Sequence, residues 1–479
     1  MFYDIQPTID VFALNSMTNE VIFNSELVSR YDQPGPRYTS YPPVNQFTDK
    51  VGASDYCLWA RNSNGDPIPR PLSLYFHIPF CNTVCYYCAC NKVVTKDHSR
   101  AAPYLEDLCR EIELQSKLFD SDRVVEQLHW GGGTPTFLNN EQTQMLMEKI
   151  GRHFRLRQDD GGEYSIEIDP RTTDAGTISH LRSLGFNRLS LGVQDFDESV
   201  QRAVNRLQSI EQTRAVIDQA RDSRYKSINI DLIYGLPLQT VSRFSQTLET
   251  LIDLNPDRIE LYNYAHLPHR FPPQRRIKQE DLPPAEEKLA IFQLAVKRLT
   301  KADYIYIGMD HFAKPRDELA IAQRRGTLHR NFQGYSAHSA CDSVAMGVSA
   351  ISNIGDHFSQ NTNDLKIYHD DLQINRLPIY RGCETNAEDI LRREIIQQLI
   401  CHFKLDFSRI EKLCDIDFKR HFSKELKRLK PMEKDGLLQV SRNEILILAS
   451  GRLLIRNICM VFDHYISSEE KTSVYSPVI

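Results

Sequence analysis

Between residues 71 and 265, six short runs rich in β-branched and aromatic residues alternate with longer amphipathic patterns, and no other feature of the chain constrains its fold as much. The runs are LSLYFHI at 72–78, VEQLHW at 125–130, YSIEID at 164–169, RLSLGV at 188–193, SINIDLIYG at 227–235 and RIELYNY at 258–264. Strands separated by helical crossovers pair in parallel, so the expected fold class is α/β, a parallel βα barrel or sheet. Such architectures bind ligands at the carboxyl ends of their strands. The residues just after each run are therefore where chemistry should be sought.

The flanks read differently. Residues 1–70 are irregular and polar, and the string QPGPRYTSYPP at 33–43 prevents regular structure, so an N-terminal arm or cap is expected. A helix is expected over 284–300, and residues 301–370 should form extensions that close the barrel. From about 386 the pattern turns helical. The string EKDGLLQVSRNEILILASGRLLIRNI then suggests a hairpin and a helix, reminiscent of a winged-helix module. The expected divisions are thus 1–70, 71–300, 301–370 and a mainly helical, winged-helix-like domain over 371–479. No fixed-period repeat or low-complexity tract interrupts them.

A winged helix raises the question of nucleic acid. A net charge of −5 and a pI near 6.3 oppose it, because phosphate neutralisation needs a basic stripe. The opening MFYDIQPTID has no basic leader ahead of an apolar run, and no apolar stretch reaches spanning length. A cytoplasmic protein without membrane insertion is expected, and a monomer, since no heptad run demands self-association.

Eleven cysteines in such a chain read as thiols. The string HIPFCNTVCYYCAC follows the first run and places Cys81, Cys85 and Cys88 at intervals of three and two intervening residues. Three thiolates on one loop can hold an iron-sulfur cubane while leaving one iron open to a ligand. A zinc knot that adds Cys90 is the alternative. Structural zinc usually joins two separated pairs, and no second CxxC lies downstream. Cys57, Cys109, Cys341, Cys383, Cys401, Cys414 and Cys459 read as small buried hydrophobes.

The later strand ends supply further candidates. HWGGGTP gives Gly131, Gly132, Gly133 and Thr134, where absent side chains would let backbone approach a ligand's amino and carboxylate groups, although tight turns use glycine equally. Glu167 could accept from ribose hydroxyls or be a buried paired carboxylate. Gln194, Arg206, Asp231 and Ala265 follow the remaining runs.

CxxxCxxC after a first strand resembles the signature of radical S-adenosylmethionine enzymes. The strings GPRYTSYP, LYFHIPFCNTVCYYCACNK, HWGGGTPT, GVQDF, NIDLIYGLP, YAHLP, GMDHFA, LHRNFQGY, GVSAIS and GRLLIRNICM resemble the oxygen-independent coproporphyrinogen III dehydrogenase family along almost the whole chain. The resemblance implies a partial (β/α)6 radical-SAM barrel, a 4Fe-4S cluster on Cys81, Cys85 and Cys88, and two S-adenosylmethionines. It implies oxidative decarboxylation of two propionates of coproporphyrinogen III to vinyl groups, giving protoporphyrinogen IX in haem biosynthesis. A low-potential electron donor and an electron acceptor follow as partners.

Carried over by motif, Tyr75, Glu167 and Ile351 would serve the cluster-bound S-adenosylmethionine. Tyr87, beside the adenine, and Gly132, Gly133, Thr134, Gln194, Arg206, Asp231 and Ala265 match cofactor-contacting positions, several for the second molecule. Cys90 matches a family cysteine that is not a ligand. It joins Arg37 and Arg330, candidate partners for the substrate's four carboxylates, at the expected reaction centre. HRFPPQRRI after YAHLP and TNAED near the C-terminus depart from the family pattern. The rival reading is a haem chaperone of the same superfamily. Such relatives carry an aromatic residue at the position of Cys90 and lack the GPRYTSYP arm.

Overall fold

All six runs are strands: β1 (Leu72–Ile78), β2 (Val124–Gly132), β3 (Glu163–Ile168), β4 (Arg188–Gln194), β5 (Ser227–Tyr234) and β6 (Arg258–Asn263). The computed structural model describes residues 20–338 and 341–466, so MFYDIQPTID and the last residues of the C-terminal region lie outside the described residues. The six strands pair in parallel and in chain order, the one-way winding of a barrel wall. Helices α1 (Ala101–Ser116), α2 (Asn140–His153), α3 (Ala175–Ser183), α4 (Ile210–Asp222) and α5 (Val241–Leu254) fill the crossovers. Side chains of Asn139, Asp174, Ser209 and Thr240 accept from backbone N–H groups at the starts of α2 to α5. The helix expected over 284–300 is α6, Ala285–Lys301.

Strand periodicity separates two faces. Leu74, Phe76, Leu128, Trp130, Ile166, Leu191, Ile230 and Leu261 point one way and are buried in one core with Leu108, Ile150, Leu181, Ile217 and Leu248 of the helices. Each such side chain contributes roughly 1.5–3 kcal/mol by leaving water. The residues between them are polar and face the barrel interior.

The region expected to close the barrel instead lengthens both edges of its sheet. Ile305–Gly308 and His311–Ala313 add antiparallel strands beside β6. Asp342–Met346 pairs parallel with β1, and Ile351–Ile354, His357–Asn361 and Ile379–Cys383 continue antiparallel beyond it. Among the described residues the two outer strands do not pair. The short ribbon His329–Asn331 and Gly334–Ser336 reaches into the barrel interior, where Gln127 Nε2 donates to Ser336 Oγ at 2.5 Å.

The arm is a buried clasp. Tyr38 Oη donates to Asp463 Oδ2 at 3.0 Å, Arg456 Nε to the Pro36 carbonyl at 3.1 Å, and Asn457 Nδ2 to the Tyr31 carbonyl at 2.6 Å. GPRYTSYP and GRLLIRNICM, at opposite ends of the chain, therefore meet. Between them, Ala387–His402, Phe407–Cys414 and Ser423–Lys434 pack with a three-stranded antiparallel sheet of Lys404–Asp406, Glu444–Ile447 and Leu438–Val440, as a winged-helix-like module requires. No helix among the described residues is long and apolar enough to cross a membrane.

Candidate active site

The loop after β1 carries the thiols and is tied at its base, where Phe80–Cys81 pairs with Val93–Val94. Cys81, Cys85 and Cys88 line one cavity of about 340 Å³ together with Tyr87, Cys90, Gly132, Gly133, Thr134, Glu167, Gln194, Arg206 and Asp231. Cations surround the sulfurs. Arg206 Nη1 donates to Cys85 Sγ at 3.5 Å and Arg171 Nη2 at 3.8 Å, while Thr134 Oγ1 donates to Cys81 Sγ at 3.6 Å. Asp169 holds both guanidiniums, accepting from Arg171 at 2.6 Å and Arg206 at 3.3 Å.

The neighbouring Cys90 thiol lowers the Cys88 thiol below its usual range and is itself raised by Cys88, while burial pushes Cys81 up to about 11. The three loop thiols, with donors aimed at the sulfurs of Cys81 and Cys85, fit a cubane, in which each thiolate binds a different iron. Among the described residues no group of three such ligands converges as a single ion would require.

The glycine run is packed closely against its surroundings while Gly132, Gly133 and Thr134 line the thiol cavity. Gly132 has φ of +113°, and a Cβ there would lie 2.7 Å from the His77 ring; one on Gly133 would lie 2.7 Å from the carbonyl carbon of Pro79. The room is taken by protein. Gly132 N donates to Glu167 Oε2 at 3.1 Å, Gly133 N to the Ile78 carbonyl and Thr134 N to the Phe80 carbonyl, both at 2.8 Å.

Glu167 is oriented by His129, whose Nε2–H points at Oε1 at 3.4 Å while Nδ1 accepts from Ser165 Oγ at 2.6 Å. Tyr75 stacks on His129 with centroids 5.7 Å apart, and its Oη donates to Nδ1 of His77, whose Nε2–H donates to the Asn91 carbonyl. Gln194, at a bulge ending β4, adopts φ of +75°, and its side chain lines the thiol cavity. Asp231 is half-buried and accepts from Asn229 Nδ2 at 2.7 Å. Burial, then Glu260 and Glu167 nearby, pushes its carboxyl well above the usual range.

A second cavity of about 410 Å³ fills the barrel interior, lined by Tyr75, His129, Asp231, Glu260, His311 and Ile351 among others. Glu167, Ser190 and Asp231 border both cavities, so the thiol-bearing space and the barrel interior share a wall.

Residues 75–251 match the Radical SAM superfamily and residues 386–454 the HemN C-terminal domain. The oxygen-independent coproporphyrinogen III oxidase of Pseudomonas aeruginosa is 53% identical over 94% of this chain and 98% of its own length. That of Escherichia coli K12 is 47% identical over 96% and 99%. The solved coproporphyrinogen III oxidase (HemN) of Escherichia coli superposes with a TM-score of 0.88, covering 93% of this chain and 100% of that one. The chain belongs to the oxygen-independent coproporphyrinogen III oxidase family.

On this member of the oxidase family, the residues expected from sequence are distributed between the two cavities and their surroundings. Twelve line the thiol cavity: Cys81, Cys85, Tyr87, Cys88, Cys90, Gly132, Gly133, Thr134, Glu167, Gln194, Arg206 and Asp231. Tyr75 and Ile351 line the barrel interior, and Gly131 abuts the Glu167 carboxylate. Ala265 lies behind the thiol loop, where Gln274 Nε2 donates to its carbonyl at 3.2 Å and to that of Tyr87 at 3.1 Å.

Arg37 and Arg330 border neither cavity directly. Arg37 lies over the Tyr262 ring at 5.7 Å, 3.8 Å from Asp310, and Arg330 over the Tyr335 ring at 4.7 Å. Both rings line the barrel interior. Arg330 is buried, and its Nε and Nη1 have no hydrogen-bond partner among the described residues.

Attention to strand ends missed His77, His129, Asn229, Glu260 and His311. The signal was the strand period itself. Gln127, His129; Ser165, Glu167; Ser190; Asn229, Asp231; and Glu260, Tyr262 recur at alternate positions between buried apolar residues, and all of them line the barrel interior.

Proposed function

We propose that this oxidase-family chain decarboxylates two propionates of coproporphyrinogen III to vinyl groups without molecular oxygen, giving protoporphyrinogen IX in haem biosynthesis. The observation that carries the reading is the shared wall of Glu167, Ser190 and Asp231 between the thiol cavity and a barrel interior large enough for ligand groups. A 4Fe-4S cluster with two S-adenosylmethionines supplies the hydrogen-abstracting radical when bound. Near-full-length likeness to oxidases favours turnover over haem carriage.

The side chains have distinct parts in this reading. Cys81, Cys85 and Cys88 hold the cluster, with Arg206, Arg171 and Thr134 balancing the charge on sulfur. Glu167, fixed by His129 and the Gly132 N–H, accepts from ribose hydroxyls, and Tyr75 and Ile351 flank the same molecule. Tyr87, Gln194, Asp231 and the Ala265 carbonyl border the second. Arg330, with two buried donors unmatched, and Arg37 neutralise propionates that approach over Tyr335 and Tyr262. Cys90 lines the same cavity two residues beyond Cys88 and stands beside that ligand without replacing it.

The arm (1–70) and C-terminal region (371–479) clamp the barrel (71–300) and its extension (301–370). The enzyme acts as a cytoplasmic monomer served by a low-potential donor and an electron acceptor.

The test is anaerobic turnover of the reconstituted protein with dithionite, S-adenosylmethionine and coproporphyrinogen III, followed by chromatography. Protoporphyrinogen IX is expected. Cofactor cleavage without it would sink the substrate assignment, and stable haem binding without turnover would restore the chaperone. Cys85→Ser should lose cluster absorbance and iron, whereas Cys90→Ser should keep both.

A further inference from the structure

Electrons must enter the site from outside, and the surface beside the thiol loop has a distinct character. His269, Arg270, Arg275, Arg276 and Lys278 are exposed and crowd ten residues that contain no acidic side chain, on a chain whose net charge is −5. This is also the HRFPPQRRI stretch that departs from the family pattern. Arg275, Arg276 and Lys278 form no ion pair among the described residues; Arg275 Nε donates only to the Pro268 carbonyl, at 3.2 Å. Held this close together, ahead of Glu280 and Asp281, the Arg275, Arg276 and Lys278 cations raise the local potential, and that arrangement asks for an anionic partner.

The segment is built onto the thiol loop. Gln274 Nε2 donates to the carbonyl of Tyr87, between Cys85 and Cys88. Ile277 is buried in a small apolar cluster with Val200, Val204, Leu236 and Tyr264, against which Tyr86 and Tyr87 pack. The Arg276 guanidinium lies over the Tyr86 ring at 5.4 Å. The cationic surface is thus one side chain removed from Cys85, and its backbone is fixed to the loop that presents the thiols.

We infer that residues 269–278 are the docking surface for an acidic, low-potential one-electron carrier protein, which rests on the radical reading above. Opposite charges steer such a carrier onto this face, and Tyr86 and Arg276 meet it at the edge nearest Cys85. The step is a single electron passing from the carrier to the cluster, the carrier being oxidised by one electron. A flavin carrier would go from hydroquinone to semiquinone, with no group transferred.

The experiment uses the reconstituted holoenzyme and, as probe, a purified acidic flavodoxin in its hydroquinone form. Arg275→Glu/Arg276→Glu/Lys278→Glu alters only exposed side chains. Fluorescence anisotropy should show flavodoxin binding weakened at least about tenfold in this variant. Raising salt from about 50 to about 200 mM should weaken parental binding steeply and variant binding little. Stopped-flow cluster reduction by flavodoxin should slow in parallel, while dithionite-driven turnover and the coproporphyrinogen KM stay at parental values.

Unchanged flavodoxin affinity with unchanged salt dependence would overturn the docking surface. A raised coproporphyrinogen KM under dithionite would overturn it too, by assigning these cations to the substrate. Failure of the parental enzyme under dithionite would instead count against the radical reading itself.

Discussion

Gly132 shows what a single position decides in this site. Its φ of +113° is a conformation other residues rarely adopt, and a Cβ would meet the His77 ring at 2.7 Å. His77 in turn bonds Tyr75 and the loop carbonyl of Asn91. Gly132→Ala is expected to lower stability by about 2 kcal/mol or more, read as a shift in the urea midpoint at unchanged slope. A variant that unfolds at the parental midpoint would remove the packing argument. At this scale the thiols were fully legible, because three cysteines on one loop are related by covalent spacing alone. His129 was not, since its role depends on Ser165 and Glu167 of a neighbouring strand.

The elements carry the second lesson. The ribbon His329–Asn331 is bolted to Ala387–His402: Gln397 Nε2 donates to the Arg330 carbonyl at 2.7 Å, and Tyr335 Oη to the Ile400 carbonyl at 2.9 Å. Burial lowers the His329 imidazole to about 4, opposed by Glu394 and helped by Arg393 and Arg70. The folded state therefore binds fewer protons than the unfolded chain between about pH 4 and about pH 6.5. The contribution is intact above that window and is lost as pH falls through it. His329→Gln should abolish roughly 2 kcal/mol of the acid-induced loss, seen by comparing urea midpoints at about pH 7 and about pH 4.5. Equal pH slopes in variant and parent would refute it.

The six barrel strands were readable from their β-rich runs, but the ribbon was not. Its place is set by hydrogen bonds to groups far along the chain, Gln127, Gln397 and the Ile400 carbonyl.

Over the whole molecule, the chain closes on itself through Arg456, whose donors reach the carbonyls of Gly35 and Pro36. Burial lowers this guanidinium to about 10. Arg456→Met would leave two buried carbonyls without these donors, at about 1–3 kcal/mol. The expected result is local opening of residues 33–43, measured as proteolytic cleavage there at least about tenfold faster than in the parent, with the barrel still folded. Cleavage at the parental rate would show that the clasp does not depend on Arg456. An arm over Pro- and Gly-rich sequence was a sound expectation, yet nothing local to 33–43 identifies what buries it.

The sequence by itself determined the parallel six-stranded wall, the position of the thiol loop after β1 and the candidates at the strand ends. Strand periodicity, helix crossovers and cysteine spacing follow from covalent geometry and short-range burial. Tertiary packing alone sets the close approach of Gly132 and Gly133 to His77 and Pro79, leaves the barrel unclosed by backbone pairing among the described residues, and joins two cavities along Glu167, Ser190 and Asp231. Those outcomes depend on which distant groups compete for the same space and the same hydrogen bonds, and spacing along the chain does not encode that competition.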